Sequence, residues 1–142
     1  SRARFMSRAL HSPCNCGYIP HPSAGAGDLA DVLVVSPFAL PLGTVVRCRP
    51  VGMLSMTDEA GDDAKILAVP VDKLTTMYRN IETYRDLPEI VIEQIAHFFA
   101  HYKDLEPGKF VNVCGWSGPD AAKSEIMASV ARYQAAAEKP AY

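Results

Sequence analysis

Met56-Thr57-Asp58-Glu59-Ala60-Gly61-Asp62-Asp63-Ala64-Lys65 crowds carboxylates into a short span that ends on a lysine. Runs suited to strands flank it. Upstream, 44–56 carries Val45, Val46, Cys48, Val51, Met53 and Leu54, punctuated by Pro50 and Gly52. It reads as one long strand or a broken pair. Downstream, 64–70 (AKILAVP) reads as another. Residues 57–63 have turn chemistry, so they are expected to form the acidic tip of a hairpin.

The rest of the chain extends this pattern. Residues 31–35 (DVLVV) are rich in β-branched side chains and are stopped by Pro37. Prolines and glycines interrupt 1–29, leaving a short strand near Tyr18-Ile19. Asp86-Leu87-Pro88-Glu89 has the marks of a helix start, with Asp86 as the capping acceptor and Pro88 in the first turn. Ile90, Ile92, Ile95, Phe98, Phe99 and Tyr102 then recur at helical spacing until Gly108 ends the region. Residues 109–113 (KFVNV) form a last strand. Ser117-Gly118-Pro119-Asp120 opens a second helix bearing Ala122, Ile126, Val130, Tyr133 and Ala137, closed by Pro140. Strands followed by two helices imply an α+β, mainly β fold: a small barrel or sheet with helices against one side.

The 142 residues are 49% hydrophobic and 21% charged, which suits one domain spanning 1–142. Lys plus Arg total 14 against 16 Asp plus Glu, a formal charge of −2. That balance argues against a generic nucleic-acid or membrane-surface binder. No apolar run reaches the ~18–20 residues of a membrane span. Cys14, Cys16, Cys48 and Cys114 are too sparse for a disulfide scaffold, and reduced thiols in a cytoplasmic compartment are expected. Arg2 and Arg4 precede no apolar segment, so no secretory signal is read. The chain opens on Ser1 rather than Met, as a fragment or processed product would.

Asp28 and Asp31 enter the 31–35 strand, and Asp58, Glu59, Asp62 and Asp63 sit at the hairpin tip. Crowded carboxylates repel unless cations neutralise them. Hard oxygen donors suit Mg²⁺ or Mn²⁺ rather than zinc. Arg4, Lys65 and Lys103 could clamp an anion bridging such ions. A solvated acidic loop is the plain structural alternative. His97 and His101 are four apart on a helix but lack a zinc-site context, so packing or capping is expected of them. Arg47 and Arg49 are expected on a solvated strand face, Asp62 in a solvated turn, and Trp116 and Tyr133 in the core or an interface.

The strings Arg47-Cys48-Arg49-Pro50-Val51-Gly52, Met56 through Lys65, and Ala96-His97-Phe98-Phe99-Ala100-His101-Tyr102-Lys103-Asp104-Leu105-Glu106 resemble the soluble family I inorganic pyrophosphatases. Pro13-Cys14-Asn15, Gly17-Tyr18-Ile19 and Gly108-Lys109 through Gly115-Trp116 fit as well. The resemblance implies an OB-like five-stranded barrel with two flanking helices and Mg²⁺-dependent hydrolysis of pyrophosphate to two phosphates, with Mn²⁺ as the other candidate ion. It also implies a cytoplasmic homo-oligomer, a hexamer, with no nucleic-acid or membrane partner. By the same resemblance Asp31, Asp58 and Asp63 bind metal. Asp28 takes the proton of the attacking water. Arg4, Lys65, Tyr102 and Lys103 clamp phosphate, and Glu59 lies beside the site.

The chain departs from that pattern at three places. Ala26 in Ala26-Gly27-Asp28-Leu29-Ala30-Asp31 stands where the family has a metal-binding Asp. Ser12 and Cys16 replace two tyrosines. The family's several dozen residues before the Arg4 position, including the first strands, have no counterpart, which implies a fragment or a chain that leans on a partner. These changes fall on the site while the scaffold stays well formed. The alternative function is therefore a catalytically degenerate pyrophosphatase-like subunit acting in assembly or metal-phosphate binding.

Overall fold

The computed structural model describes residues 13–20 and 28–137, with side chains over 13–19 and 30–135. Five strands, β1 (Asn15–Pro20), β2 (Asp28–Val34), β3 (Cys48–Asp58), β4 (Gly61–Pro70) and β5 (Val111–Ser117), join two helices, α1 (Glu89–His101) and α2 (Pro119–Ala137). The strands form one mixed sheet ordered β1-β2-β4-β3-β5. All neighbours are antiparallel except the parallel β2–β4 pair. Among the described residues the sheet stays open rather than closing into the expected barrel, although five strands and two flanking helices match the OB-like expectation.

The helices do not share one side of the sheet. Leu33, Leu54, Met56 and Leu67 pack with Ile95, Phe98 and Phe99 of α1. Their sequence neighbours Val32, Ile66, Ala68 and Met53 pack with Ala122 and Ile126 of α2. Successive strand residues point to opposite faces, and β2 and β4 are apolar at consecutive positions, so both faces need cover. Leu33, Leu54, Ile66, Leu67 and Ile95 are each at most 1% exposed. Each such burial contributes about 1.5–3 kcal/mol.

Local boundaries differ from the sequence reading for identifiable reasons. The 44–56 run is one strand, starting at Cys48. Pro50 pairs with Ala68 and Gly52 with Leu67, leaving Val51 as a bulge that absorbs the proline instead of ending the strand. The hairpin tip is only Glu59-Ala60, because Asp58 Oδ1 accepts the Ala60 N–H at 2.9 Å and Gly61 adopts φ +118°. Asp62 and Asp63 are therefore strand residues. β5 begins later than expected and runs on to Ser117, bulging at Cys114 where Gly115 takes φ +136°. Asp86 does not cap α1. Its Oδ2 accepts the N–H groups of Glu82 and Thr83 at 3.0 Å each, closing a capping box on a single-turn helix, Tyr84–Asp86. Arg49 is not on a solvated face. Its guanidinium donates to the carbonyls of Ile81 and, at 2.6 Å, Tyr78, tying the 76–87 connection to β3.

Candidate active site

β2 and β4 run parallel with Asp31 in register with Lys65, so both side chains leave the same face. Asp63 precedes Lys65 by two and shares that face. On β3, Leu54 pairs with Lys65, Met56 with Asp63 and Asp58 with Gly61, which adds Asp58 to it. This is the face that carries Leu33, Leu54, Met56 and Leu67 under α1. It is apolar in its middle and charged toward the β3–β4 hairpin.

Two lysines organise those charges. Lys65 Nζ donates to Asp31 Oδ2 at 2.7 Å and lies 3.0 Å from Asp63 Oδ2. It also sits 5.8 Å from the centre of the Phe99 ring, and its side chain is only 11% exposed. An ammonium that deep would be costly without those oxygens. Lys103, just past the end of α1, donates to Asp58 Oδ2 at 3.0 Å and Glu59 Oε1 at 3.1 Å. The side chains of Lys103 and Asp58 are each 13% exposed. Glu59 Oε2 accepts the Phe110 N–H at 3.4 Å, which anchors the approach to β5. The Tyr102 ring lies 5.6 Å from Lys103 Nζ and packs on Phe98 and Phe99.

The electrostatics follow the contacts. The Lys103 hydrogen bond holds the Asp58 carboxyl below its ordinary range. Glu59 is held low by its own backbone N–H, with Lys103 and Phe110 adding to it. Desolvation pulls the Lys65 ammonium down, but Asp31 and then Asp63 overcome it and leave its pKa raised. Lys103 is raised in the same way, burial opposing and Asp58 and Glu59 prevailing.

The structure thus brings Asp31, Asp63 and Lys65 into one node, and Asp58, Glu59 and Lys103 into another. Arg4 lies outside the described residues, as do Ser12 and Ala26. Asp28 is placed at the first position of β2, three residues before the pairing of Asp31 with Lys65, but its side chain is outside the description. The His97 and His101 rings lie tilted at 45° with centres 4.6 Å apart, and His101 Nδ1 meets Asp104 Oδ2 at 2.9 Å, an exposed pairing that includes no residue of either node. Trp116 stacks on Tyr84 beside the core, as core packing requires.

A shallow groove of about 250 Å³ opens on the α2 side, where Glu125, Ser129 and Arg132 face Asp31, Asp62 and Asp63. Arg132 donates to Glu125 Oε1 and Ser129 Oγ at 2.9 Å each. Helical spacing alone relates these three residues. Nothing in the sequence indicates that they lie over the paired strands β2 and β4, beside Asp31 and Asp63.

A residue string this specific, folded so that its lysines and carboxylates interlock on one face, decides the family. A family model described as "Pyrophosphatase: Inorganic pyrophosphatase" matches residues 1–134. The chain belongs to the inorganic pyrophosphatase family. This pyrophosphatase is 58% identical over 129 residues to the inorganic pyrophosphatase of Escherichia coli K12, covering 91% of this chain and 73% of that protein. It is 53% identical over 131 residues to the Pseudomonas aeruginosa protein of the same name, covering 92% and 75%. Its fold matches the inorganic pyrophosphatase structure from Helicobacter pylori with a TM-score of 0.84 at 37% identity, covering 92% and 77%. The Thermus thermophilus structure matches with a TM-score of 0.81 at 41% identity, covering 92% and 75%.

The donor set of this pyrophosphatase fits a hard divalent cation. Each node offers two carboxylates within 3.1 Å of one ammonium nitrogen, close enough to share a cation, and every donor is oxygen. Among the described residues no three His, Cys, Asp or Glu side chains converge as a metal cage. One or two carboxylates, completed by water and substrate phosphate, are what Mg²⁺ ordinarily takes.

Proposed function

We propose that this chain hydrolyses inorganic pyrophosphate to two phosphates with Mg²⁺ as its cofactor and Mn²⁺ as the alternative ion. The observation that carries the proposal is the pair of lysine–carboxylate nodes on one sheet face, in a chain of this family. When bound, the divalent cation supplies neutralisation of the phosphoanhydride charge and a lower pKa for water.

The protein's own groups do the rest. Asp31, Asp58 and Asp63 hold the cation. Lys65, Lys103, Arg4 and Tyr102 bind the phosphates, whose transfer depends on positioning and charge stabilisation more than on covalent chemistry. Asp28 takes the proton from the attacking water, the work of a carboxylate base. The Phe99 and Tyr102 rings keep the lysines on an apolar floor, where their charge is less screened.

We read the chain as one domain over 1–142 that works in the cytoplasm as a homo-oligomer, a hexamer. Phe38, Leu42 and Val45, between β2 and β3, are 67%, 70% and 96% exposed, an apolar surface that favours association. The formal charge of −2 disfavours a nucleic-acid partner. Among the described residues no helix is long and apolar enough to cross a membrane.

The test is phosphate release from Mg-pyrophosphate by the full chain, compared with Asp28→Asn. Release above background that collapses in the variant supports the hydrolase. Equal inertness of both proteins ends that reading in favour of the subunit without turnover, which Ala26 and Cys16 favour. Restoring Ala26→Asp together with Cys16→Tyr would then bring activity back only if the scaffold is competent.

A further inference from the structure

The four carboxylates assigned to metal binding or to its border are all engaged by lysine. Asp31 and Asp63 share Lys65 at 2.7 and 3.0 Å, and Asp58 and Glu59 share Lys103 at 3.0 and 3.1 Å. These are the same lysines assigned to phosphate. An ammonium within hydrogen-bond distance of two carboxylate oxygens occupies the place where a cation binding those oxygens would sit. A divalent cation placed between the same oxygens repels the ammonium already there.

We propose that Lys65 and Lys103 act as stand-in cations that a divalent metal displaces, and that displacement is what frees them to bind phosphate. The proposal rests on the hydrolase reading and adds a built-in order of loading to it. Each node carries two negative charges and one positive. A phosphate arriving first would draw the ammonium away and leave two like-charged carboxylates facing each other with no cation between them. A metal arriving first neutralises the carboxylates and releases a cation whose other neighbours are aromatic, Phe99 beneath Lys65 and Tyr102 beside Lys103. Those rings hold a displaced ammonium on the same face, where an anion can collect it. Metal and phosphate therefore each take one half of an existing ion pair, and each raises the other's affinity by the same factor.

The coupling is measured on the full chain by calorimetric titration of Mg²⁺ with and without inorganic phosphate. In parallel, nitrogen NMR of the lysine ammonium groups reports their restraint. Mg²⁺ alone should convert the Lys65 and Lys103 signals from restrained to mobile, and phosphate added afterwards should restrain them again. Phosphate should bind the Mg²⁺-saturated protein at least about fivefold more tightly than the protein without Mg²⁺. Lys65→Gln, which removes the competing ammonium, should bind Mg²⁺ more tightly than the wild type when no phosphate is present. Direct contact between metal and phosphate would also couple their affinities, but it would leave the ammonium signals unmoved by Mg²⁺ alone. Mg²⁺ binding with unmoved signals therefore overturns the displacement. If pyrophosphate is still hydrolysed in that case, the hydrolase reading stands and only this inference fails. An absence of Mg²⁺ binding overturns both.

Discussion

Lys103 Nζ reaches 45 residues back along the chain to Asp58 Oδ2, 3.0 Å away, and so pins the end of α1 to the β3–β4 hairpin. The contact is mechanical as well as chemical, because the same nitrogen holds Glu59, whose other oxygen holds Phe110. Lys103→Gln should therefore cost about 1.5–3 kcal/mol of unfolding free energy by urea denaturation, the worth of hydrogen bonds to charged groups. It should also depress phosphate release well beyond that stability loss. Unchanged stability would mean that the pair is no more than a surface contact.

Arg49 serves the fold alone. Its guanidinium satisfies the carbonyls of Tyr78 and Ile81 with two donors in a planar fork. Arg49→Ala should destabilise the protein by about 2–4 kcal/mol, since two partly buried carbonyls lose their donors. Arg49→Lys should recover only part of that, because one ammonium cannot reproduce the fork. Thermal melts of the three proteins decide it, and equal stability of Lys and Arg would refute the bidentate role.

At Gly52 the limit is space. A Cβ there would meet the Ser117 carbonyl oxygen and the Tyr84 Cβ, each at 3.0 Å. Both contacts belong to the packed junction where Tyr84 stacks on Trp116 at 5.4 Å. Gly52→Ala should cost about 1–3 kcal/mol, the usual range for overpacking. Loss of the Trp116 near-ultraviolet signature should accompany it.

The capping turn at Asp86 gives a pH prediction. Backbone N–H groups of Thr83 and Glu82 hold its carboxyl below the ordinary aspartate value of about 3.9. The folded-state pKa is depressed, so the stabilisation is fully present above that ordinary value. It is lost as pH falls through the lower folded one. NMR titration should show the Glu82 and Thr83 amides shifting together with Asp86, at a pH below 3.9, about the free-aspartate value. A midpoint at or above the free-aspartate value would remove the cap from the account.

Much of the fold was legible because its signals are local. β-Branched runs bounded by proline and glycine mark the strands, and the spacing of Ile95, Phe98 and Phe99 marks the buried stripe of α1. Helix ends and strand limits were less legible, since they depend on partners. Asp86 looks like a helix cap until Thr83 claims it, and Pro50 looks like a strand break until β4 accommodates the bulge. Arg49 looked solvated because its acceptors lie about 30 positions further along the chain.

The residue types of the site, carboxylates with lysines in a specific string, were determined by sequence alone, and with them the family and the class of chemistry. Which carboxylate meets which lysine was decided only by tertiary structure. Asp31 reaches Lys65 through a parallel strand pairing, and Asp58 reaches Lys103 through the docking of α1. The reason is physical: a charge's partners are set by through-space distances of a few ångströms, and those depend on register and helix docking, which no spacing along the chain encodes.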